Sequence, residues 1–189
     1  MIPPDLLNRE TKRIVLPDDG RPYTLGDVCR RLDELGVKYL VTGWWSFVLR
    51  DLTTEEPWVI WIFNDRYNHD EPLLYGKFVA TLFRVPRELL TFGYERMMVY
   101  GYRARVSRIS RALLDLAYIF GKLVKNPEDL GYVLAGYARC VRKRHAYRYI
   151  DRYPPYVKKA VDAAYKILEE IRHGRQHSRR IEPSNKLKP

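Results

Sequence analysis

Cysteine is scarce in this chain: Cys29 and Cys140 are the only two in 189 residues, which leaves no disulfide framework to hold a fold. They lie on separate expected helices, and in a reducing compartment they read as packed thiols. Long apolar runs are missing too. None approaches the roughly 18 to 20 residues that a membrane-spanning helix needs, and Met1 to Asp5 lacks the charged and apolar regions of a signal peptide. The expectation is a cytoplasmic protein. No internal repeat is present. Glutamine is reduced to Gln176, and with few cysteines and many Arg, Glu and Tyr this points to a thermophilic source.

The missing charges of one sign are as informative. The net charge is +11, and it is unevenly placed. Arg139 to Arg152 carries +5, with Asp151 its one acid, and Arg172 to Pro189 carries another +5, with Glu182 its one acid. The rest of the chain is left with +1. The body is therefore nearly neutral, and the basicity belongs to the C-terminal third.

What the chain has in quantity is hydrophobic and aromatic side chains, 46% and 13% of residues, enough for one substantial core with at most a small appendage. The central stretch runs from Val37 to Leu52. Tyr39, Leu40 and Val41 favour a strand, Gly43 permits a sharp turn, and an apolar helix-like segment follows. Ahead of it, Thr24 caps a helix Thr24 to Leu35 in a capping-box pattern with Asp27, closed by Gly36. Trp58 to Phe63 reads as a buried central strand, Asn64 to Gly76 as a polar loop, Phe78 to Val85 as a strand and Pro86 to Leu90 as one helical turn. Met97 to Tyr100 and Ala104 to Val106 form a hairpin around Gly101.

Helices come next. Ser107 or Ser110 caps one that carries Leu113, Leu114, Leu116, Ala117 and Phe120. Asn126-Pro127-Glu128-Asp129 starts another, with Leu130, Val133, Leu134, Tyr137 and Val141 as its buried stripe. After Tyr153-Pro154-Pro155, a last amphipathic helix places Val157, Val161, Ala164, Tyr165, Leu168 and Ile171 on one face. Consecutive strands flanked by helices predict an α+β fold, with a mixed or antiparallel central sheet and a C-terminal helical segment. The expected layout is a flexible N-terminal arm (1–23), a single α+β domain with its C-terminal helices (24–173) and a disordered basic tail (174–189).

A strand, a glycine and a helix is also where many α/β proteins hold a phosphate. Nucleotidyl transfer would need paired carboxylates on the next strand to seat Mg²⁺, and Trp58 to Phe63 offers none: Asp51, Glu55 and Glu56 precede it and Asp65 follows. His173 and His177 have helical metal-pair spacing but no third ligand nearby, and read as solvated. His69 with Asp70 and Glu71 reads as a solvated loop. Asp115, inside an apolar helix, reads as a structural ion pair with Arg108 or Arg111. Trp44, Trp45, Trp58 and Trp61 read as core rather than as a stacking platform. No catalytic residue, cofactor or metal ligand is assigned, and the protein is expected not to be an enzyme. The basic segment interleaved with Tyr147, Tyr149 and Tyr153 suits a phosphate backbone, which makes Arg139, Arg142, Lys143, Arg144, Arg148, Arg175, Arg179 and Arg180 the candidate nucleic-acid contacts.

Read together, the turn Tyr39-Leu40-Val41-Thr42-Gly43-Trp44-Trp45-Ser46 and the later Val106-Ser107-Arg108-Ile109-Ser110-Arg111-Ala112-Leu113-Leu114-Asp115-Leu116 resemble the C-terminal domain of AbiEi-type antitoxins. These are transcriptional regulators of type IV abortive-infection toxin–antitoxin systems. The likeness covers about Val37 to Tyr137. It implies that Gly43, Trp45, Ser46, Arg111, Leu114 and Asp115 are signature positions of the fold rather than catalytic residues, and that a cognate, nucleotidyltransferase-like toxin is a partner. Family members carry an N-terminal winged helix for which the residues ahead of Lys38 are too few, so contact with DNA or RNA would fall to the basic helix and tail. The expected function is thus a non-enzymatic antitoxin-like regulator of a toxin–antitoxin or viral defence system. The alternatives are a module that neutralises a partner toxin, or a divergent nucleotidyltransferase-like protein.

Overall fold

A capping box opens the first helix. Thr24 Oγ1 accepts from the Asp27 amide at 3.2 Å, and Asp27 Oδ2 accepts from the Thr24 amide at 2.8 Å, satisfying two donors that a helix start leaves open. In the computed structural model, which describes residues 7–8, 13–14, 23–55, 57–73, 78–124 and 126–180, the helix is α1, Leu25–Glu34. Two two-residue strands precede it, β1 (Leu7–Asn8) and β2 (Arg13–Ile14), paired antiparallel. The expected flexibility of the N-terminal arm falls otherwise on residues outside those described.

The chain forms two units, Met1–Leu116 and Ala117–Pro189. The first is built on a six-stranded sheet of β3 (Tyr39–Thr42), β4 (Val59–Asn64), β5 (His69–Leu73), β6 (Phe78–Arg84), β7 (Tyr94–Val99) and β8 (Tyr102–Ser107). Their order across the sheet is β5-β6-β4-β3-β8-β7. β3 runs antiparallel to β4 (Val41↔Ile62) and parallel to β8 (Val41↔Val106), and β4 runs parallel to β6 (Ile60↔Ala80). The sheet is mixed and the fold is α+β.

Strand alternation then separates two faces. Tyr39, Val41, Ile60, Ile62, Ala80, Leu82, Ala104 and Val106 share one core with Val28 and Leu32 of α1. Thr42, Trp61 and Phe63 fall on the opposite face. A 3₁₀ turn spans Arg87–Leu90, and α2 (Trp44–Val48) follows β3 directly.

Three local readings are corrected here. The segment expected as a polar loop contains the edge strand β5, antiparallel to β6; alternation is hard to see in His-Asp-Glu-Pro-Leu, and Pro72 is tolerated because an edge strand spares its missing N–H. Trp58 precedes β4 and is 70% exposed, so it is not core. Ser107 caps no helix: it ends β8 and uses its hydroxyl on Thr42 and Ser46, while α3 begins at Ile109 and runs to Phe120.

The second unit pairs α4 (Pro127–Ala138) with α6 (Pro155–Arg180), with the short α5 (Lys143–Tyr147) between them. Asn126 caps α4 by accepting from the Glu128 amide at 3.0 Å. Gly131 is required where the helices meet, because a Cβ there would lie 2.7 Å from the Ala163 methyl. Of the expected stripe, Leu130, Leu134 and Val141 are buried, whereas Val133 of α4 and Ile171 of α6 are exposed. α4 stops at Ala138, short of Val141, and α6 continues through Gly174 to Arg180 where a disordered tail was expected to start. A single glycine costs a helix only about 1 kcal/mol relative to alanine, too little to end one in good helix formers. Residues 181–189 lie outside the described range.

Candidate functional site

Gly43 sits between β3 and α2 at φ 67°, ψ −139°, a conformation that a side chain makes costly. A Cβ there would also meet Trp61 Cε3 at 2.7 Å. The ring of Trp61 packs on Trp44 with centroids 4.7 Å apart and edge-on to Phe83 at 6.0 Å. Trp45 is buried, and its indole N–H donates to the Pro57 carbonyl at 3.0 Å. Around the same turn lies a wholly buried polar cluster. Thr42 Oγ1 donates to Asp115 Oδ2 at 2.5 Å and lies 2.9 Å from Ser107 Oγ, which lies 2.6 Å from Ser46 Oγ. Each hydroxyl has one proton. Since Thr42 gives its own to the carboxylate, Ser107 donates to Thr42 and Ser46 to Ser107.

Arg111 completes the cluster. Its Nε is 3.1 Å from Asp115 Oδ2, and its two terminal nitrogens donate to the carbonyls of Phe92 and Leu89. Both charges are fully buried, a placement that is stable only because each is paired and hydrogen-bonded. Of the residues implied as fold signatures, Ser46, Arg111 and Asp115 meet in the polar cluster, Gly43 forms the turn beside it, Trp45 packs in the core with Tyr39 and Val41, and Leu114 is buried on α3. Chemically the turn is committed inward. Ser46 is bound to Ser107 rather than free for a phosphate, and β4 presents Trp61 and Phe63 on the face where alternating carboxylates would project. Among the described residues no group of three His, Cys, Asp or Glu side chains could hold a metal ion.

The second unit carries the opposite arrangement. Arg139, Arg142, Lys143, Arg144 and Arg148 are all exposed. Among the described residues none of them forms a salt bridge to a carboxylate. The sequence places them around the end of α4 and along α5, where Arg139 caps α4 and Arg142 precedes α5. Lys143 Nζ stands 5.7 Å from the Tyr147 ring centroid and 5.8 Å from that of Tyr165, a cation–π contact with each. Arg175, Arg179 and Arg180 lie on the last turns of α6, and their side chains are outside the described set.

A cavity of about 470 Å³ opens beside this face and adds residues that were not among the candidate contacts: Cys140, Tyr165, Leu168, Glu169 and Arg172. The signal available for Arg172 was its spacing of three from Glu169 on an amphipathic helix, which reads as solvated surface until the turn after α4 is folded against it.

No family model matches this chain, and no curated protein does. Among solved structures, the antibiotic-resistance factor ANT(2'')-Ia matches with 10% sequence identity and a TM-score of 0.36, over 77% of this chain and 91% of that one. That protein is an aminoglycoside nucleotidyltransferase, an enzyme, and the expectation that this chain is not an enzyme is withdrawn on that finding. At this TM-score the likeness assigns no residue and no reaction here.

Proposed function

We propose that this chain is an antitoxin-like regulator that holds a nucleic acid by its phosphates, through the basic face of the second unit. The observation that carries the reading is the run of exposed cations Arg139, Arg142, Lys143, Arg144 and Arg148, none of them salt-bridged among the described residues. A cation without a carboxylate partner can displace the counterions condensed on a nucleic acid when it meets a phosphate, which gives binding that falls steeply with salt. Arg175, Arg179 and Arg180 extend the same charge along α6. A cytoplasmic location and a cognate toxin partner belong to this reading through the resemblance to AbiEi-type antitoxins.

The test is retention of a labelled oligonucleotide across a salt series, on the full chain and on Arg142→Glu/Lys143→Glu. The double variant is expected to lower the log–log salt slope by about 1 for each phosphate contact removed. Equal retention by both proteins at low salt would overturn the proposal. A second reading, a divergent nucleotidyltransferase-like protein, is favoured by the β3–Gly43–α2 turn alone, since the Ser46 hydroxyl is already engaged by Ser107. It requires Mg²⁺-dependent nucleotide binding that Gly43→Ala abolishes, and a flat calorimetric titration rejects it.

A further inference from the structure

The cavity at the end of α4 is lined by two kinds of residue. Arg139, Arg142, Lys143 and Arg172 are cationic and Glu169 is the one acid among them, four positive charges against one negative. Ala138, Val141, Leu168 and Tyr165 make up the apolar and aromatic part; Leu168 is half-buried and the other three are buried. Tyr165 is fixed in place, since its hydroxyl donates to the Val141 carbonyl at 2.9 Å. The volume of about 470 Å³ lies inside the range of small-molecule sites. A bare inorganic anion would use the cationic residues and leave the apolar part of the lining unused. A purely apolar ligand would strand four charges.

We infer that this cavity takes a nucleoside phosphate, with the phosphate among Arg139, Arg142 and Arg172 and the base on the apolar part of the lining, chiefly the half-buried Leu168. The nucleoside phosphate is either a free nucleotide or the phosphorylated end of a nucleic acid strand. Guanidinium groups suit this task because their planar donors grip phosphate oxygens in pairs. Lys143, held over two tyrosine rings, supplies a point charge at the mouth. The inference rests on the proposed phosphate-binding role of the same basic face and narrows it to one seat.

Cys140 lines the cavity and is partly exposed, whereas Cys29 is wholly buried. In the full native chain, the rate of modification by N-ethylmaleimide therefore reports on the cavity. With ADP at about ten times its dissociation constant, occupancy by mass action slows modification about tenfold. Arg172→Glu is expected to raise the ADP concentration for half-protection by about tenfold or more, as loss of a charge-assisted hydrogen bond implies. Lys159→Glu, an exposed position of α6 outside the cavity, leaves it unchanged. Arg172→Gln serves as the milder variant at this exposed position and shifts half-protection in the same direction.

Adenosine should protect only weakly and inorganic phosphate less well than ADP; protection by inorganic phosphate equal to that by ADP overturns the nucleoside half of the inference. Protection by a 5′-phosphorylated oligonucleotide but not by ADP assigns the strand end as the source, and protection by ADP assigns the free nucleotide. No protection by either at millimolar concentration overturns the inference. Oligonucleotide retention is measured in parallel. Retention that depends on Arg142 and Lys143 without any protection of Cys140 defeats the seat and leaves the basic-face reading standing; protection without retention does the reverse.

Discussion

Arg111 and Arg142 show two ways of keeping an arginine. Arg111 is fully buried, paired with Asp115 and bonded to two backbone carbonyls, so each nitrogen of its guanidinium has a partner inside the first unit. Arg142 is exposed in the second unit and has no carboxylate partner among the described residues. A buried charge must be compensated on the spot or the fold fails. A solvated charge is compensated by water and counterions and stays available to a partner. The polar cluster of the first unit is thus part of the structure, and the basic face of the second unit stays at the surface.

Breaking the buried arrangement should have the largest effect. Arg111→Met leaves Asp115 buried with an uncompensated charge and is expected to cost about 3 to 5 kcal/mol in urea unfolding. Arg111→Met combined with Asp115→Leu should recover a good part of that, because removing both charges removes the penalty for stranding one. A double variant as unstable as the single would show that the pair contributes beyond charge compensation.

Gly43→Ala comes next. It combines a positive φ with a Cβ 2.7 Å from Trp61, and strain plus overpacking should cost about 2 kcal/mol or more. A chemical-denaturation midpoint equal to that of the parent would mean that the turn relaxes freely.

A pH dependence sharpens the contrast from the second unit. Burial pushes the Tyr165 phenol from 10.0 up to about 12. The folded state thus holds that proton more tightly than the unfolded chain. The stabilisation is complete below pH 10 and is lost as pH rises from there through about 12. Tyr165→Phe should flatten part of the fall in melting temperature across that window, and an unchanged alkaline profile would assign the fall elsewhere. The smallest effect belongs to the exposed cations. Arg142→Glu/Lys143→Glu should stay within about 0.5 kcal/mol of the parent in stability while nucleic-acid retention drops, and a large loss of stability would place these residues in the structure after all.

Much of the fold was legible along the chain. Thr24 with Asp27, Gly36, and Asn126 with Pro127 announce helix boundaries through local hydrogen bonding and backbone preference, and each does so in the structure. The strands around β3 followed from apolar and aromatic runs. β5 did not, because its alternation is masked by His69, Asp70, Glu71 and Pro72 and only pairing with β6 makes it a strand. Trp58 shows the opposite failure: an aromatic at the edge of an apolar run looks buried, but the strand begins one residue later. Asp115 was readable as one half of an ion pair through its i, i+4 spacing from Arg111. Its bond to Thr42 was not, since that link crosses 73 residues.

By itself the sequence determined the mixed-element composition, the caps of α1 and α4, the clustering of positive charge in the last third and the absence of a carboxylate pair on β4. These depend on neighbours within a turn or on simple totals. Tertiary structure alone decided that Thr42, Ser46, Ser107, Arg111 and Asp115 share one buried network, and that Arg172 joins Arg139 and Arg142 around one cavity. Those contacts join residues far apart along the chain, and their free energy exists only once packing has removed the water between them.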